Sequence, residues 1–477
     1  MSLREETAAL HLRRDAARRL GPPERVDAQR AAGKMTVRER IDRLFDPGTF
    51  REFGTLATSE DRDIRSSGKE TPCDGVVTGV GRIEGREVFV AAYDYTVLAG
   101  SMGIVGERKV RRMREMARTQ LRPIVWLIDS AGARIQEHAG TRAFAPTGDL
   151  FYEQVQMSGL VPQVAAVMGP GAAGTAYIPG LADFVPMVAG TSSMALGGPP
   201  LVKATVGEDV TEQELGGSHV HSRASGVADL EVPDDAACLD IVRRYLGFFP
   251  SRAGEPAPRR DPVEPPAAAA EMLDSVLPDN SRMAYDVKKI LRGLVDGGEF
   301  LEIKPDFARN IVTALVRFAG RPAGVLANQP QVLAGALDND ASDKAARFIQ
   351  LCDAFELPLV FFQDIPGFMV GSKVEREGII RHGAKMLYAV SEATVPKITV
   401  VIRKAYGAGY YCMCGRAFGP DLIVAWPSAE ISLMGAAGAV GILHGRKIAA
   451  ASDPKSERDR LGAEFQKRIS PYEAAEA

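Results

Sequence analysis

The spacing of apolar and polar residues changes rhythm along the chain. Up to residue 45 the rhythm is helical. Leu10, Arg13, Arg14, Ala17 and Leu20 fall at helical steps until Gly21-Pro22-Pro23 breaks them. Thr36-Val37-Arg38-Glu39 forms a capping box ahead of Ile41, Leu44 and Phe45, and Asp46-Pro47-Gly48 closes that helix. A basic helical arm of this kind is read as a solvated helix packed on the domain or on a partner subunit. From Asp74 on, short apolar runs take over. Residues 76–83 and 87–92, joined at Glu84-Gly85, read as a hairpin. Residues 123–128 and 164–168 read as buried strands. The first ends in Asp129-Ser130-Ala131-Gly132-Ala133-Arg134, the second in Gly169-Pro170-Gly171-Ala172-Ala173-Gly174. A second capping box, Thr211 to Glu214, opens a short helix. Residues 250–266 are rich in Pro, Ala and charge and mark a linker. Beyond them, Ala345, Phe348, Ile349, Cys352 and Phe355 share a helix face. The run 359–362 ends at Gln363-Asp364, and the run 398–402 leads into Arg403-Lys404-Ala405-Tyr406-Gly407-Ala408-Gly409. Strands alternating with helices predict α/β layers.

The two halves carry one pattern in one order. The strand from Pro123 to Asp129 has its counterpart 235 positions on, from Pro358 to Asp364. Pro162-Gln163-Val164 matches Pro396-Lys397-Ile398 at 234 positions, and Gly174 matches Gly409 at 235. A nearly constant offset indicates a duplicated α/β domain. It also reinterprets Gly169-x-Gly171-x-x-Gly174. A dinucleotide fingerprint needs an acidic residue about 20 positions further on, and residues 188–193 hold none. The second copy lacks the three-glycine spacing yet keeps the small-residue turn. A turn whose backbone N–H groups face an oxygen with developing negative charge suits both copies. For either copy taken alone, a generic strand-to-helix turn is the alternative.

Composition then removes function classes. With 58 basic and 61 acidic residues the net charge is −3, which gives no signal for nucleic acid or an anionic membrane. Arg108, Lys109, Arg111, Arg112 and Arg114 form a local basic run, read as a solvated face, with contact to an anionic cofactor tail as the alternative. Five cysteines cannot all pair, and they read as reduced thiols, with Cys412 and Cys414 as packing residues. His219-x-His221 lacks a third ligand at metal spacing, so no metal is expected. The sequence has no G-x-x-x-x-G-K-[ST] phosphate loop, no G-x-S-x-G elbow and no Ala-Met-Lys-Met biotin-attachment sequence. ATP hydrolysis and a biotin of its own are therefore not expected. No apolar run reaches membrane-spanning length. The Arg-rich start carries Glu5, Glu6 and Asp15 and lacks a secretion signal's apolar core, so a cytoplasmic location is expected.

Six stretches jointly resemble the carboxyltransferase (β) subunits of biotin-dependent acyl-CoA carboxylases, of the propionyl-CoA and methylcrotonyl-CoA kind. They are Gly33-Lys34-Met35-Thr36-Val37-Arg38-Glu39-Arg40, Asp74-Gly75-Val76-Val77-Thr78-Gly79, Asp129 through Glu137, Asp364-Ile365-Pro366-Gly367-Phe368, Glu377 through Lys385, and Ala425 through Ser432. The resemblance runs from about Gly33 to Tyr472. It implies an α/β chain of two duplicated crotonase-like β-β-α spiral domains: a helical arm at 1–50, an acyl-CoA domain at 51–250, a linker at 251–280 and a carboxybiotin domain at 281–477. It further implies a homo-oligomer, a hexamer, with sites formed between subunits. The implied reaction moves a carboxyl group from carboxybiotin to the α (or vinylogous) carbon of a short acyl-CoA. The biotin is held by a separate biotin carboxylase and biotin carrier (α) subunit, and this chain needs no metal or ATP.

By the same resemblance, the backbone N–H groups of Ala173 and Gly174 hold the enolate oxygen of the coenzyme A thioester. Those of Ala408 and Gly409 hold the biotin ureido oxygen. Gly100, Ser101, Gly132, Ala133, Gly171, Ala172, Gly367, Phe368, Gly407 and Tyr411 line the substrate. Many members have Gly-Gly where this chain has Ala173-Gly174, which requires that Ala173 avoid positive φ. Tyr411 stands where propionyl-CoA enzymes have Asp. Residues 410–416 look closer to the methylcrotonyl-CoA branch and 379–384 closer to the propionyl-CoA branch, so the acyl chain stays open. The family usually continues through another strand and helix beyond the position of Ala477. The same residues fit the reverse reaction, in an acyl-CoA decarboxylase subunit coupled to a membrane sodium pump, or a non-catalytic scaffold of the same fold.

Overall fold

The computed structural model describes residues 2–281 and 283–476. The chain divides into two compact units, Met1–Pro256 and Ala257–Ala477. Among the described residues, the first unit is built on an eight-stranded sheet: β1 (Arg51–Phe53), β2 (Val76–Ile83), β3 (Arg86–Tyr93), β4 (Ile124–Ser130), β5 (Gln163–Ala172), β6 (Pro186–Val188), β7 (Ser193–Ala195) and β8 (Leu230–Val232). The strands lie in the order β1-β2-β3-β4-β5-β6-β8, with β7 beside β5. β2 and β3 form the antiparallel hairpin, and pairing from β3 to β4 to β5 is parallel. Every residue of β4 is buried, which is why it reads as an unbroken apolar run rather than an alternating one.

The second unit repeats the plan with β9 (Leu301–Ile303), β10 (Ile311–Phe318), β11 (Arg321–Asn328), β12 (Leu359–Ile365), β13 (Lys397–Tyr406), β14 (Leu422–Ala425) and β15 (Glu430–Ser432). Its order is β14-β13-β12-β11-β10-β9, and β15 pairs with β13 as β7 pairs with β5. The fold is thus the duplicated crotonase-like α/β arrangement. The two hairpin turns match even in backbone torsion. Glu84 and Gly85 have φ of 49° and 77°, and Ala319 and Gly320 have the same pair of values. Two residues at positive φ are what a tight turn between right-twisted strands requires.

The duplication extends to features that the apolar pattern does not show. Leu98-Ala99-Gly100 and Leu333-Ala334-Gly335 all have positive φ. Lys109 and Lys344 are both buried and donate to main-chain carbonyls at the entrance to each hairpin. Lys109 Nζ reaches Cys73 O and Val76 O at 2.9 and 2.6 Å. Lys344 Nζ reaches Lys304 O, Phe307 O and Ile311 O at 2.8–2.9 Å and Ala308 O at 3.3 Å. Burial pulls the Lys344 ammonium down to about 7, while four carbonyl oxygens favour its charged form.

Three sequence expectations change. Both strands leading to the small-residue turns run further than their apolar cores, through Ala172 and through Tyr406. The stretch after Ala257 belongs to the second unit. Arg260 N–H donates to Gly320 O, Arg317 Nη1 donates to Pro258 O at 2.8 Å, and the helix Ala267–Glu271 packs on the helix Val287–Leu294. The basic run on the helix Ile104–Gln120 is neither a plain solvated face nor a free anion site. Arg114 is fully buried between Glu107 and Glu153, each at 2.8 Å. Arg111 pairs with Glu115 at 3.3 Å, and Arg108 with Glu60.

Candidate active site

Each small-residue turn converts a central parallel strand into a helix. In the first unit β5 ends at Ala172, Ala173 takes φ 51° and ψ −118°, and Gly174 opens the helix Gly174–Leu181. The Ala173 N–H donates to Ala195 O at 3.0 Å. It is therefore not available to a substrate, and Ala173 does adopt the positive φ that a side chain disfavours. The Gly174 and Thr175 N–H groups begin the helix, where there is no preceding turn of carbonyls to accept them. Thr175 Oγ donates to Ala172 O at 2.8 Å and ties the turn closed.

A loop lies against this turn. Met102 N–H donates to Gly132 O at 2.8 Å and Arg134 N–H to Met102 O at 2.9 Å, a bridge that leaves the N–H of Ala133 pointing the other way. Gly132 has φ 89°, and a Cβ on it would stand 2.6 Å from Ala172 O. Only glycine permits that approach. A Cβ on Gly100 would stand 2.2 Å from Asp129 O, and one on Gly174 would stand 3.2 Å from Met102 Cε. Gly100, Ser101, Gly132, Ala133, Gly171, Ala172, Ala173 and Gly174 are thus gathered in one place.

The second unit gathers the equivalent set. Leu337 N–H donates to Gly367 O and Met369 N–H to Leu337 O, at 3.2 and 2.8 Å, so Phe368 occupies the place of Ala133. A Cβ on Gly409 would lie 3.1 Å from Gly367 Cα, and Gly383 leaves room for the Phe368 ring, which a Cβ would approach to 3.0 Å. Gly407, at φ 56°, takes the positive-φ position of this turn, which glycine adopts without strain. Tyr411 sits further along the helix Gly407–Cys412, 45% exposed, with its ring stacked on Phe418 at 6.1 Å. The buried Cys412 thiol donates to Ala408 O at 3.1 Å, behind the turn.

These torsions and pairings correct the alignment of the two copies. Ile124 pairs with Gln163 and Leu359 with Lys397, so β4 and β12 are 235 positions apart but β5 and β13 are 234 apart. Ala173 therefore corresponds to Gly407, Gly174 to Ala408 and Thr175 to Gly409. The expected donor pair Ala173–Gly174 moves by one residue. Because Ala173 occupies a region of backbone space nearly reserved for glycine, it carries strain of about 1–3 kcal/mol. Ala173→Gly is expected to stabilise the protein by about 1 kcal/mol net of glycine's extra unfolded-state entropy, with activity kept. The midpoint of urea unfolding measures this.

Beneath the turns lies a charged frame that sequence reading took only as signature. Asp129, next to last in β4 and fully buried, binds Lys34 Nζ and Arg40 Nη1, each at 2.8 Å. Arg40 Nε reaches Asp235 at 2.7 Å. Burial opposes the Arg40 charge, but the two carboxylates outweigh it and hold its pKa above the usual value. Asp364, the counterpart of Asp129, pairs with Arg403 at 3.0 Å. Arg134 Nη1 joins Asp74 and Glu137, each at 2.7 Å. Those carboxylates also accept the Gly106 and Ile104 N–H groups at 2.7 and 2.6 Å, capping the helix that starts beside Met102. The charges therefore position main chain. The arm, expected to be a solvated helix packed on the domain or on a partner subunit, packs on the domain and supplies Lys34 and Arg40; a charge at the apolar spacing of Val37, Ile41 and Leu44 is the local sign of it. His221 spends its ring on Met194 O and Ser225 Oγ, both at 2.8 Å. Among the described residues no group of three or more His, Cys, Asp or Glu is placed to hold a metal ion. No described helix is long and apolar enough to cross a membrane.

What converges at each turn is a set of fixed backbone donors, an arrangement suited to oxygen atoms that gain negative charge. A family model described as the carboxyl transferase domain matches residues 28–477. The carboxyltransferase subunit of propionyl-CoA carboxylase from Haloferax mediterranei is 44% identical over 477 residues, covering 100% of this chain and 92% of the relative. The methylmalonyl-CoA decarboxylase subunit alpha of Veillonella parvula is 44% identical over 475 residues, with 100% and 92% covered. Among solved structures, a transcarboxylase 12S hexamer with methylmalonyl-coenzyme A and methylmalonic acid bound matches with a TM-score of 0.93 at 42% identity, over 100% of this chain and 91% of that one. The chain belongs to the carboxyl transferase domain family and is a carboxyltransferase of the biotin-dependent acyl-CoA carboxylase class.

Proposed function

We propose that this chain moves a carboxyl group between carboxybiotin on a separate carrier protein and a short acyl-CoA, with propionyl-CoA and methylmalonyl-CoA as the acyl pair. The observation that carries the reading is the duplicated turn. The reaction develops charge on two oxygens, the enolate oxygen of the thioester and the ureido oxygen of biotin, and the chain offers two donor turns. The Gly174 N–H, with Thr175 beside it and Ala133 facing it across the loop, receives the enolate oxygen. The Ala408 and Gly409 N–H groups receive the ureido oxygen. The close approach of Gly409 to Ile365 and Gly367 packs the turn tightly and fixes the direction of its donors. Carboxybiotin supplies the carboxyl group and, on release, a base for the acyl α-proton, which is why main-chain donors suffice here. Each fixed donor is worth about 10²–10³ in rate.

The choice of acyl chain follows the relatives, which are named for propionyl-CoA and methylmalonyl-CoA and are spanned almost end to end. The enzyme works with a biotin carboxylase and biotin carrier subunit in the cytoplasm, as a homo-oligomer. The test is a panel of acetyl-, propionyl-, butyryl- and methylcrotonyl-CoA with a carboxylated biotin carrier supplied. Propionyl-CoA is expected to give the highest kcat/KM, with methylmalonyl-CoA as product. A preference for another acyl chain replaces the substrate assignment, and no product from any of the four removes the function. The similarity to a decarboxylase subunit supports the reverse direction as a second reading. Copurification with a membrane subunit instead of a biotin carboxylase decides for it.

A further inference from the structure

The two turns differ in what stands immediately ahead of them. β13 ends in Tyr406, which is 7% exposed, and its phenol donates to the carboxylate of Glu430 on β15. The strands run parallel, with Lys404 beside Glu430 and Tyr406 beside Ser432. Two close approaches follow from this pairing. A Cβ on Gly435 would lie 3.1 Å from the Tyr406 ring, and a Cβ on Gly407 would lie 3.1 Å from Leu433 O. The pair therefore fastens residues 430–435 against the start of the second turn.

The first unit supplies an internal comparison. There β5 and β7 pair with Pro170 beside Ser193 and Ala172 beside Ala195. Ala172 takes the place of Tyr406 and Ser193 the place of Glu430. The first turn forms without any such pair, held by the Ala173 N–H to Ala195 O bond. The strand-to-helix turn of this fold does not need a tyrosine and a glutamate, so their presence at one copy answers to what that copy handles. Burial and the Glu430 carboxylate hold the Tyr406 phenol well above its usual pKa, so it stays a donor throughout the neutral range.

We propose that Tyr406 and Glu430 are positioning residues for the biotin half of the reaction, setting Gly407 and residues 430–435 so that the Ala408 and Gly409 N–H groups meet the ureido oxygen. This rests on the assignment of the second turn to carboxybiotin. The experiment compares Tyr406→Phe, Glu430→Gln and their double variant with Ala408→Pro, in the assembled enzyme with a carboxylated carrier. Each single variant is expected to lower kcat about tenfold and to raise KM for the carrier. The double variant is expected to be no worse than the more affected single one, because both remove one bond. KM for the acyl-CoA and the urea midpoint are expected to stay near wild type. A Tyr406→Phe enzyme within twofold of wild type beside an inactive Ala408→Pro enzyme overturns the positioning role alone. A rise in acyl-CoA KM equal to that for the carrier, with a lowered urea midpoint, shows a general structural bond and overturns it too. A fully active Ala408→Pro enzyme overturns the turn assignment and the positioning role with it.

Discussion

Arg40→Met is expected to destabilise the first unit by about 3–5 kcal/mol, the range found when one partner of a buried charge network is removed. Arg40 is 0% exposed and bonds two carboxylates from distant segments together with Met168 O at 3.3 Å. Without it, Asp129 and Asp235 keep only Lys34 between them as a cation, and both remain buried. The position of Asp129 makes this more than a stability effect. Its carbonyl oxygen stands 2.2 Å from where a Cβ on Gly100 would lie, and its side chain stands 1.9 Å from where one on Gly169 would lie. A shift of Asp129 therefore moves both segments that flank the first turn. Arg40→Lys is expected to recover only part of the loss, because one ammonium cannot reproduce a planar fork spanning two carboxylates. Arg43→Met on the same helix removes an ion pair with Asp240 whose side chains are 43% and 57% exposed. That change is expected to cost under about 1 kcal/mol. Urea unfolding of the three variants separates these cases, and equal losses for Arg40→Met and Arg43→Met would show that the buried network contributes nothing special.

The reasons why some of this was legible in the sequence and some was not are physical. β4 and β12 are buried on both faces, so each leaves an unbroken apolar run, and two such runs ending in Asp expose the duplication. The small residues at 171–174 and 407–409 are visible because close backbone approach excludes side chains. Their register is not visible, because a run of Gly and Ala looks the same when shifted by one. Only the torsions at Ala173 and Gly407 and the strand pairing fix it. The partners of Arg40 lie 89 and 195 positions away, and no local periodicity carries that information. Lys109 and Lys344 were within reach of the sequence, since both copies place a lysine at one offset on a helix that packs against the hairpin. The longer reach of β5 and β13 was hidden because Gly, Pro and Lys are poor strand formers, and tertiary pairing with β7 and β15 overrides that preference.

Ala408→Pro is expected to lower carboxyl transfer by about 10²–10³, the loss seen when one oxyanion donor is removed. The substitution is suited to the question because it deletes the N–H and little else. Ala408 lies in the first turn of the helix Gly407–Cys412, where a proline ring is tolerated and the N–H has no carbonyl to lose. The residue before a proline is pushed out of the right-handed helical region, and Gly407 is already outside it at φ 56°. The turn therefore keeps its shape while losing one of its two proposed donors. Affinity for acyl-CoA, measured by calorimetry, is expected to be unchanged, since that substrate is assigned to the turn at Gly174. The equivalent change at the first turn, Gly174→Pro, follows Ala173, which also has positive φ, so the same logic applies with the opposite readout: the enolate side fails. If Ala408→Pro weakens acyl-CoA binding and leaves carrier affinity intact, the two turns have exchanged roles. If it leaves transfer within threefold of wild type, the second turn holds no charged oxygen at all, and the duplicated geometry has a catalytic function in one copy only.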